Sequence, residues 1–582
     1  MDRNTVQLQV IRLRNFRSIA DSTFRLGAYS LLVGRNNAGK SNIMDALRIL
    51  YEKDLKYDRV RDWPKFATTE QESWIDVEFV LTASEYAALK AEYQLVGQRL
   101  RLRKYFSTDR KGGDGKPCLG VYAHLDECGT LAPELFYGAK NVQQGKLGDL
   151  TYIPAVSRLD EHTKMSGPSV LRDLVGDLFQ DLAKPGSAFA QFSAQFQTFV
   201  AEVQKERTPG AKSFEGLVDE INANLGDWGT AFELKMTPPT PADIVKGFVS
   251  FGIVDNALDA PIDAARFGQG FQRHLIFTLI RMAANYKTSV VSTSTAKDFQ
   301  PRLHLLLFEE PEAFLHPTQQ TVLARSLRAI AHQDAHQVLA TSHSPSFVSH
   351  NARDIPSIIC LGRDRHYAAH TVAGQVTSDE FDTICSDNQA LHDIVAGTTL
   401  AADHDDLKLD MESIKYFLWL DSQRCGMFFA QHVLLVEGPT ERVLIDYLLD
   451  SGQLAMPLGG VFVLDCLGKF NMHRFMNILG PLRISHSVLF DGDGGVPPHD
   501  GVRKLIEDSM NPYTQGVTCF PLDLEEALGI AKPRRANRKP QNVMLKLHED
   551  AIAPEKLQSF IELVTNLITS SDSVSTPSSV MH

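Results

Sequence analysis

The sequence predicts an α/β protein with two parallel sheets, a larger one first and a smaller one toward the C-terminal end. Two observations predict it. An apolar strand over residues 29–33 runs into Gly34-Arg35-Asn36-Asn37-Ala38-Gly39-Lys40-Ser41, which fits GxxxxGK[ST] in full and opens an amphipathic helix over 41–50. Short apolar strands also recur with a carboxylate at their ends: 303–308 before Glu309, 432–436 before Glu437, 461–464 before Asp465 and 487–490 before Asp491.

The remaining elements follow in order. Residues 6–13, 74–81 and 99–106 alternate like half-buried strands, so antiparallel strands mix with the first α/β units. From 167 to 223 the pattern turns helical and rich in Gln, Ala and Phe. We read a helical insertion over about 165–235, serving either as a lid or packing arm or as a dimer contact. Residues 377–410 are polar and acidic. The expected division is a head over 1–385, a linker or docking segment over 386–429, a second α/β domain over 430–569 and a disordered tail over 570–582.

Composition narrows the function. With 43% hydrophobic and 22% charged residues the chain is an ordinary globular one, and 582 residues are too many for one core. A net charge of −12 excludes a simple basic protein that coats nucleic acid. Nucleic-acid contact must then use local basic patches, or carboxylates masked by metal ions. The seven cysteines are scattered without a CxxC pair, which argues against a structural zinc site and a disulfide framework. A reducing, cytoplasmic setting fits them. The start lacks a signal-peptide pattern, and no apolar run is long enough to span a bilayer, so no membrane partner is expected.

In the first site, the backbone of Gly34, Asn36, Asn37, Ala38 and Gly39 is expected to wrap phosphate oxygens, with Asn42 beside them. Lys40 would reach the β- and γ-phosphates of ATP, and Ser41 would hold Mg²⁺. In Leu305-Leu306-Leu307-Phe308-Glu309-Glu310-Pro311-Glu312 a strand ends in two carboxylates. Glu309 would bind Mg²⁺ through water, and Glu310 would orient the attacking water. A buried strand with an acidic exit is the plainer alternative. Two further segments resemble the ABC/SMC branch of P-loop ATPases. Thr341-Ser342-His343-Ser344 follows a strand as the switch histidine does there, so His343 would sense the γ-phosphate. Gly268-Gln269-Gly270-Phe271-Gln272-Arg273 resembles a degenerate signature motif, with Gly268 and Gly270 meeting the nucleotide of a facing subunit and Phe267 where the usual serine stands. One P-loop per chain then implies a homodimer through the heads, with a tetramer as the higher-order form.

The second site starts at Val436-Glu437-Gly438-Pro439-Thr440-Glu441 and continues at Asp491-Gly492-Asp493. Carboxylates at the ends of neighbouring parallel strands converge on one crevice, which is costly unless cations neutralise them. Oxygen ligands of this kind suit Mg²⁺ or Mn²⁺. Two such ions can drive phosphodiester cleavage. Exposed acidic turns are the alternative. Leu522-Asp523-Leu524-Glu525-Glu526 offers a further ligand in Glu525 or Asp523, or else an ordinary acidic first turn of a helix. Residues 532–539 form the most basic run, which either grips a DNA backbone or is a solvated loop.

EGxxE followed by DxD resembles the TOPRIM domain. An ABC/SMC-like P-loop head with a helical insertion, followed by a smaller TOPRIM α/β domain, resembles the OLD (overcoming lysogenization defect) family over nearly the whole chain. Asn15-Phe16-Arg17, the EEPE and TSHS segments, LLVEGPTE, Gly468-Lys469 and Asp491-Gly492-Asp493 carry the likeness. It implies a divalent-metal-dependent DNA endonuclease controlled by its ATPase. It also implies that the family's DLE segment falls on Asp523 to Glu525 and its catalytic lysine on Lys539. Gabija-type and retron-associated members imply antiphage defence, with a helicase or a retron reverse transcriptase and its nucleic acid as partners. A non-cleaving ATP-dependent DNA clamp or repair mediator is the rival reading. A topoisomerase or primase is a further one, against which stands the lack of a tyrosine-bearing cleavage domain.

Overall fold

The computed structural model describes residues 5–569 except for short stretches, the longest of which lie at 139–146, within 156–168, at 288–298 and at 397–408. The expected tail over 570–582 falls outside the described residues. The chain forms two compact units, Met1–Ala155 with Ser294–His582, and Val156–Thr293.

The first unit opens with an antiparallel sheet of five strands whose central members are Gln7–Phe16, Ser73–Val80 and Arg99–Ser107. Inward residues such as Leu8, Ile11, Leu13, Ile75, Val77, Leu100 and Leu102 are buried, so the alternation read in the sequence is the side-chain alternation of a one-sided sheet. Beside it lies a six-stranded sheet. Its parallel strands run Ile358–Arg363, Tyr29–Gly34, His336–Thr341, His304–Glu309 and Asp149–Ile153 in spatial order, and Thr371–Gln375 pairs antiparallel at one edge. The strands Tyr29–Gly34 and His336–Thr341 are buried at every position, as expected of a sheet covered on both faces. The helix Lys40–Tyr51 follows the first of them and buries Ile43, Met44, Leu47 and Leu50. This sheet and the helix after its P-loop form the head.

The C-terminal sheet is parallel and has four strands, in the order Phe462–Asp465, His432–Val436, Ser485–Asp491 and Thr514–Phe520. Its last strand carries little hydrophobic signal in the sequence. None of its residues except Phe520 is buried, and its apolar run is short. The helices Pro439–Asp450, Lys539–His548 and Pro554–Thr569 help close the core around Leu434, Val436, Leu444, Leu489, Val543 and Val564.

Where residues 386–429 are described, they are helical at Ala390–Val395 and Leu409–Trp419. The second helix is tied to the helix Met472–Leu479 of the C-terminal sheet. Buried Arg474 forks onto Glu412 at 2.8 and 2.9 Å, and Tyr416 Oη donates to the Arg474 carbonyl at 2.9 Å. A bidentate pair of this kind is directional as well as attractive.

The unit Val156–Thr293 contains the helices Val170–Leu182, Ala188–Lys205, Phe214–Leu225, Pro241–Phe248 and Gln269–Lys287 and a short antiparallel pair, Ile253–Asp255 with Ala260–Ile262. Gly268 stands just before Gln269–Lys287, where its carbonyl accepts from Phe271 N at 3.0 Å, and Gly270 lies in the first turn.

Candidate functional sites

The P-loop is shaped by close approach. Gly34 has φ +139° and its missing Cβ would sit 2.2 Å from the Leu361 carbonyl oxygen, while Gly39 has φ +107° and faces Thr371 Oγ1 at 2.7 Å. Only glycine fits either place. Thr371 Oγ1 donates to Ala38 O at 2.9 Å, and Arg363 donates to Asn37 O, so the edge strand Thr371–Gln375 and its neighbour Ile358–Arg363 brace the loop from behind. Arg35, Asn36, Asn37 and Ser41 are exposed, and Ala38 and Lys40 are buried. Lys40 Nζ donates to the carbonyls of Gly34 at 2.7 Å and Arg35 at 3.1 Å. Burial pulls its pKa down to about 8, against the pull of Glu310, Glu312 and Glu309. Asn42 is engaged elsewhere: its amide donates to Ser18 Oγ at 2.8 Å and its oxygen accepts from Arg17 at 3.2 Å, so it braces the helix rather than offering a free group to phosphate.

Glu309 ends its strand and accepts from Tyr152 Oη at 2.6 Å, and the Arg48 guanidinium lies 3.8 Å over the Tyr152 ring. Glu310 adopts a left-handed φ of 41°, with its N–H held by Thr341 O and Thr341 Oγ1, each at 3.1 Å. A non-glycine residue in that region is strained and persists where the surroundings dictate it. The turn brings Glu310 Oε1 to 3.6 Å from His343 Nε2. Glu312 accepts the His343 backbone N–H at 2.5 Å, and burial raises its carboxyl pKa. Burial, with Lys40 adding to it, lowers that of His343. Glu309, Glu310, His343 and Lys40 therefore share one end of the sheet. Tyr152 is a partner that sequence reading missed, since 157 positions separate it from Glu309.

The second site is built on the strand ends of the four-stranded sheet. Glu437 Oε2 accepts the backbone N–H of Asp491 at 3.1 Å, which joins the Glu437 strand end to the Asp491-Gly492-Asp493 motif. Asp491 Oδ1 accepts from Leu524 N at 3.1 Å, which brings in the segment around Glu525. Lys539 Nζ lies 3.4 Å from Glu525 Oε2 and 3.8 Å from Asp491 Oδ2. Glu441 reaches back to the start of its own helix and accepts from Gly438 N at 3.0 Å. Asp493 pairs with Lys469, and its Oδ2 lies 3.2 Å from His499 Nδ1. Asp523 caps the helix Leu524–Ala527 through Glu526 N at 2.9 Å and pairs with Lys532, so of the two candidates in that segment it is Glu525 that faces Lys539. The sequence marks Lys469 only as part of the Gly468-Lys469 turn of the resemblance, with no contact assigned, and nothing local distinguishes His499 from other helix residues.

Charge crowding is evident in the acids. Burial, then the charges of Glu437 and Glu441, push the Asp491 pKa up to about 8. Burial, then Glu437, push that of Glu441 to about 7, and burial raises that of Glu437. Burial alone would lower the Lys539 pKa, but Glu525 and Asp491 outweigh it and hold the ammonium above its ordinary value. Glu525 is wholly buried, with the Lys539 ammonium beside its Oε2. Among the described residues no three acids, histidines or cysteines stand close enough to hold an ion as they are. The cluster is nonetheless all carboxylate oxygen, buried and short of positive charge, which is the environment a hard divalent cation relieves.

A nucleotide-binding P-loop head and a carboxylate-bearing parallel sheet in one chain define a P-loop ATPase with a second, acidic site. The family model described as AAA ATPase domain matches residues 7–128 and 122–348, and the chain belongs to that family. The model described as overcoming lysogenization defect protein-like, TOPRIM domain matches residues 428–493, so the two domains stand together as the resemblance implied. Old nuclease of Escherichia phage P2 is 23% identical over 84% of this chain and 78% of its own length. OLD nuclease of Thermus scotoductus is 22% identical over 96% and 98%, and endonuclease GajA of Bacillus cereus is 22% identical over 83% and 74%. No described helix is long and apolar enough to cross a membrane.

Proposed function

We propose that this protein is an ATP-regulated, divalent-metal-dependent DNA endonuclease that hydrolyses phosphodiesters at the carboxylate cluster beside Lys539. One observation carries the reading: Glu437, Asp491, Glu525 and Lys539, spread over about a hundred residues, meet in a chain of contacts no longer than 3.8 Å. The relatives that span most of the chain are named nucleases. Glu437, Asp491 and Glu525 would hold Mg²⁺ or Mn²⁺, with Glu441, Asp493 and Asp523 completing the acidic surround. Such ions, when bound in pairs, supply an activated water and stabilise the leaving oxygen. Lys539 would offset charge developing on the scissile phosphate. The exposed Arg534, Arg535 and Arg538 would hold the DNA backbone.

In the same reading the P-loop, with Lys40 and Ser41, binds ATP and Mg²⁺, Glu309 holds the ion, Glu310 orients water and His343 reads the γ-phosphate. Gly268 and Gly270 of one copy would meet the nucleotide of another in a homodimer, or within a tetramer. The division into a head over 1–385, a docking segment over 386–429 and a nuclease domain over 430–569 belongs to this proposal, as does a cytoplasmic role in antiphage defence beside a helicase or retron component. These last are supported by the likeness to phage and GajA nucleases alone.

The test is incubation of purified protein with supercoiled plasmid and Mg²⁺ or Mn²⁺, with and without ATP. Metal-dependent nicking that the Glu437→Ala variant lacks is expected. Plasmid that stays intact under every condition, yet is retained by the protein in an ATP-dependent way, would replace the nuclease with a clamp.

A further inference from the structure

Lys469 is a charged residue with almost no access to water: its side chain is 2% exposed. It comes from the turn after the strand Phe462–Asp465. That turn is stitched to the strand end bearing Glu437, since Cys466 N donates to Val436 O at 3.0 Å and Gly468 N to Glu437 O at 2.7 Å. Its Nζ donates to the backbone carbonyl of Asp491 at 2.8 Å and to the Asp493 carboxylate. Burying an ammonium costs several kcal/mol unless it is paired, so packing alone does not account for a lysine here. Lys539 is different in kind. At 31% exposed it can meet a substrate, whereas Lys469 can act only through the acids it touches.

We propose that Lys469 is a positioning residue for the acidic site: its ammonium ties the backbone of Asp491 to the side chain of Asp493 and sets the two at the spacing at which the cluster takes a divalent cation. The tie spans Asp491-Gly492-Asp493 from within. It also links that motif, through the Gly468 turn, to the strand end of Glu437. Without it the two aspartates would repel each other and part. The inference rests on the nuclease reading for its purpose, but its geometry concerns metal binding alone.

The experiment titrates full-length parent, Lys469→Met, Lys469→Gln, Asp493→Asn and the Lys469→Met/Asp493→Asn double variant with Mn²⁺ by calorimetry in the absence of DNA. Plasmid nicking and thermal melting are followed alongside. Lys469→Met is expected to bind Mn²⁺ about 10- to 100-fold more weakly, as when a ligand loses its outer partner, and to regain part of its nicking at high Mn²⁺. Lys469→Gln keeps a donor for the Asp491 carbonyl without the charge and should fall between. It carries the test if the methionine variant does not fold. The double variant should be no weaker than the worse single one, because both changes break the same tie. Affinities of both Lys469 variants within about twofold of the parent, or fully additive effects in the double variant, would overturn the proposal. A parent that binds Mn²⁺ yet leaves plasmid intact would remove the nuclease reading and leave this comparison standing.

Discussion

Asp491 gives its backbone N–H to the carboxylate of Glu437 at 3.1 Å, so two strand ends separated by 54 positions present their acids side by side. Both carboxylates belong to the acidic cluster, and each raises the cost of ionising the other. Glu437→Ala and Asp491→Ala should each lower plasmid nicking by at least about a hundredfold while ATP affinity stays within twofold of the parent. Nicking rates and nucleotide binding measured on the same preparations decide it. Normal nicking by both variants would defeat the assignment.

The Tyr152 hydroxyl holds Glu309 at 2.6 Å from an edge strand. A hydrogen bond to a carboxylate is worth about 1.5–3 kcal/mol, so Tyr152→Phe should slow ATP turnover by roughly tenfold. The change leaves the P-loop intact, and ATP affinity should hold. A variant that loses affinity and turnover together would point to a general defect of the fold instead.

Gly374 of the edge strand Thr371–Gln375 lies against the chain just before the strand of Asp491: a Cβ there would come within 2.2 Å of Leu482 O. Backbone rather than a flexible side chain is in the way, so it cannot simply swing aside. Gly374→Ala should lower stability by about 1–3 kcal/mol, read as a drop in urea midpoint at unchanged m-value. An unchanged midpoint would mean that the two sheets are not pressed together there.

His473 is buried, and burial, then Arg474, depress its pKa to about 3. Asn388, Glu412 and Lys415 are the other groups acting on it. Its folded pKa lies below the unfolded value of about 6.5, so the unfolded chain takes up the proton first. The stability from keeping it neutral is present above about pH 6.5 and drains as pH falls toward 3, by at most about 1.4 kcal/mol per pH unit. His473→Gln should flatten the fall in unfolding free energy between pH 6.5 and 4.5. Parallel curves for parent and variant would remove His473 as a source of acid sensitivity.

The parts legible beforehand are those whose chemistry lies in one short segment. The P-loop declares itself because Gly34, Gly39, Lys40 and Ser41 sit within eight residues, between a strand and a helix. The acidic exits at Glu309 and Glu437 show because each closes an unbroken apolar strand. The strand Thr514–Phe520 was missed because an edge strand with little buried surface carries little hydrophobic signal. The segment of Asp523 and Glu525 left two candidates, since a helix N-cap and a ligand use the same side chain, and only the fold shows that Asp523 serves as the cap.

By itself the amino-acid order determined the local geometry of this protein: a phosphate-wrapping loop, acid-tipped strands, and two α/β sheets in that sequence along the chain. Tertiary structure alone decided the partners, namely Tyr152 for Glu309, Lys469 for Asp491 and Asp493, and Lys539 for Glu525. The physical reason is range. Backbone shape follows from sterics and hydrophobic period over a few residues, whereas the pairing of buried charges depends on which distant strand ends the packed sheets bring within hydrogen-bond reach.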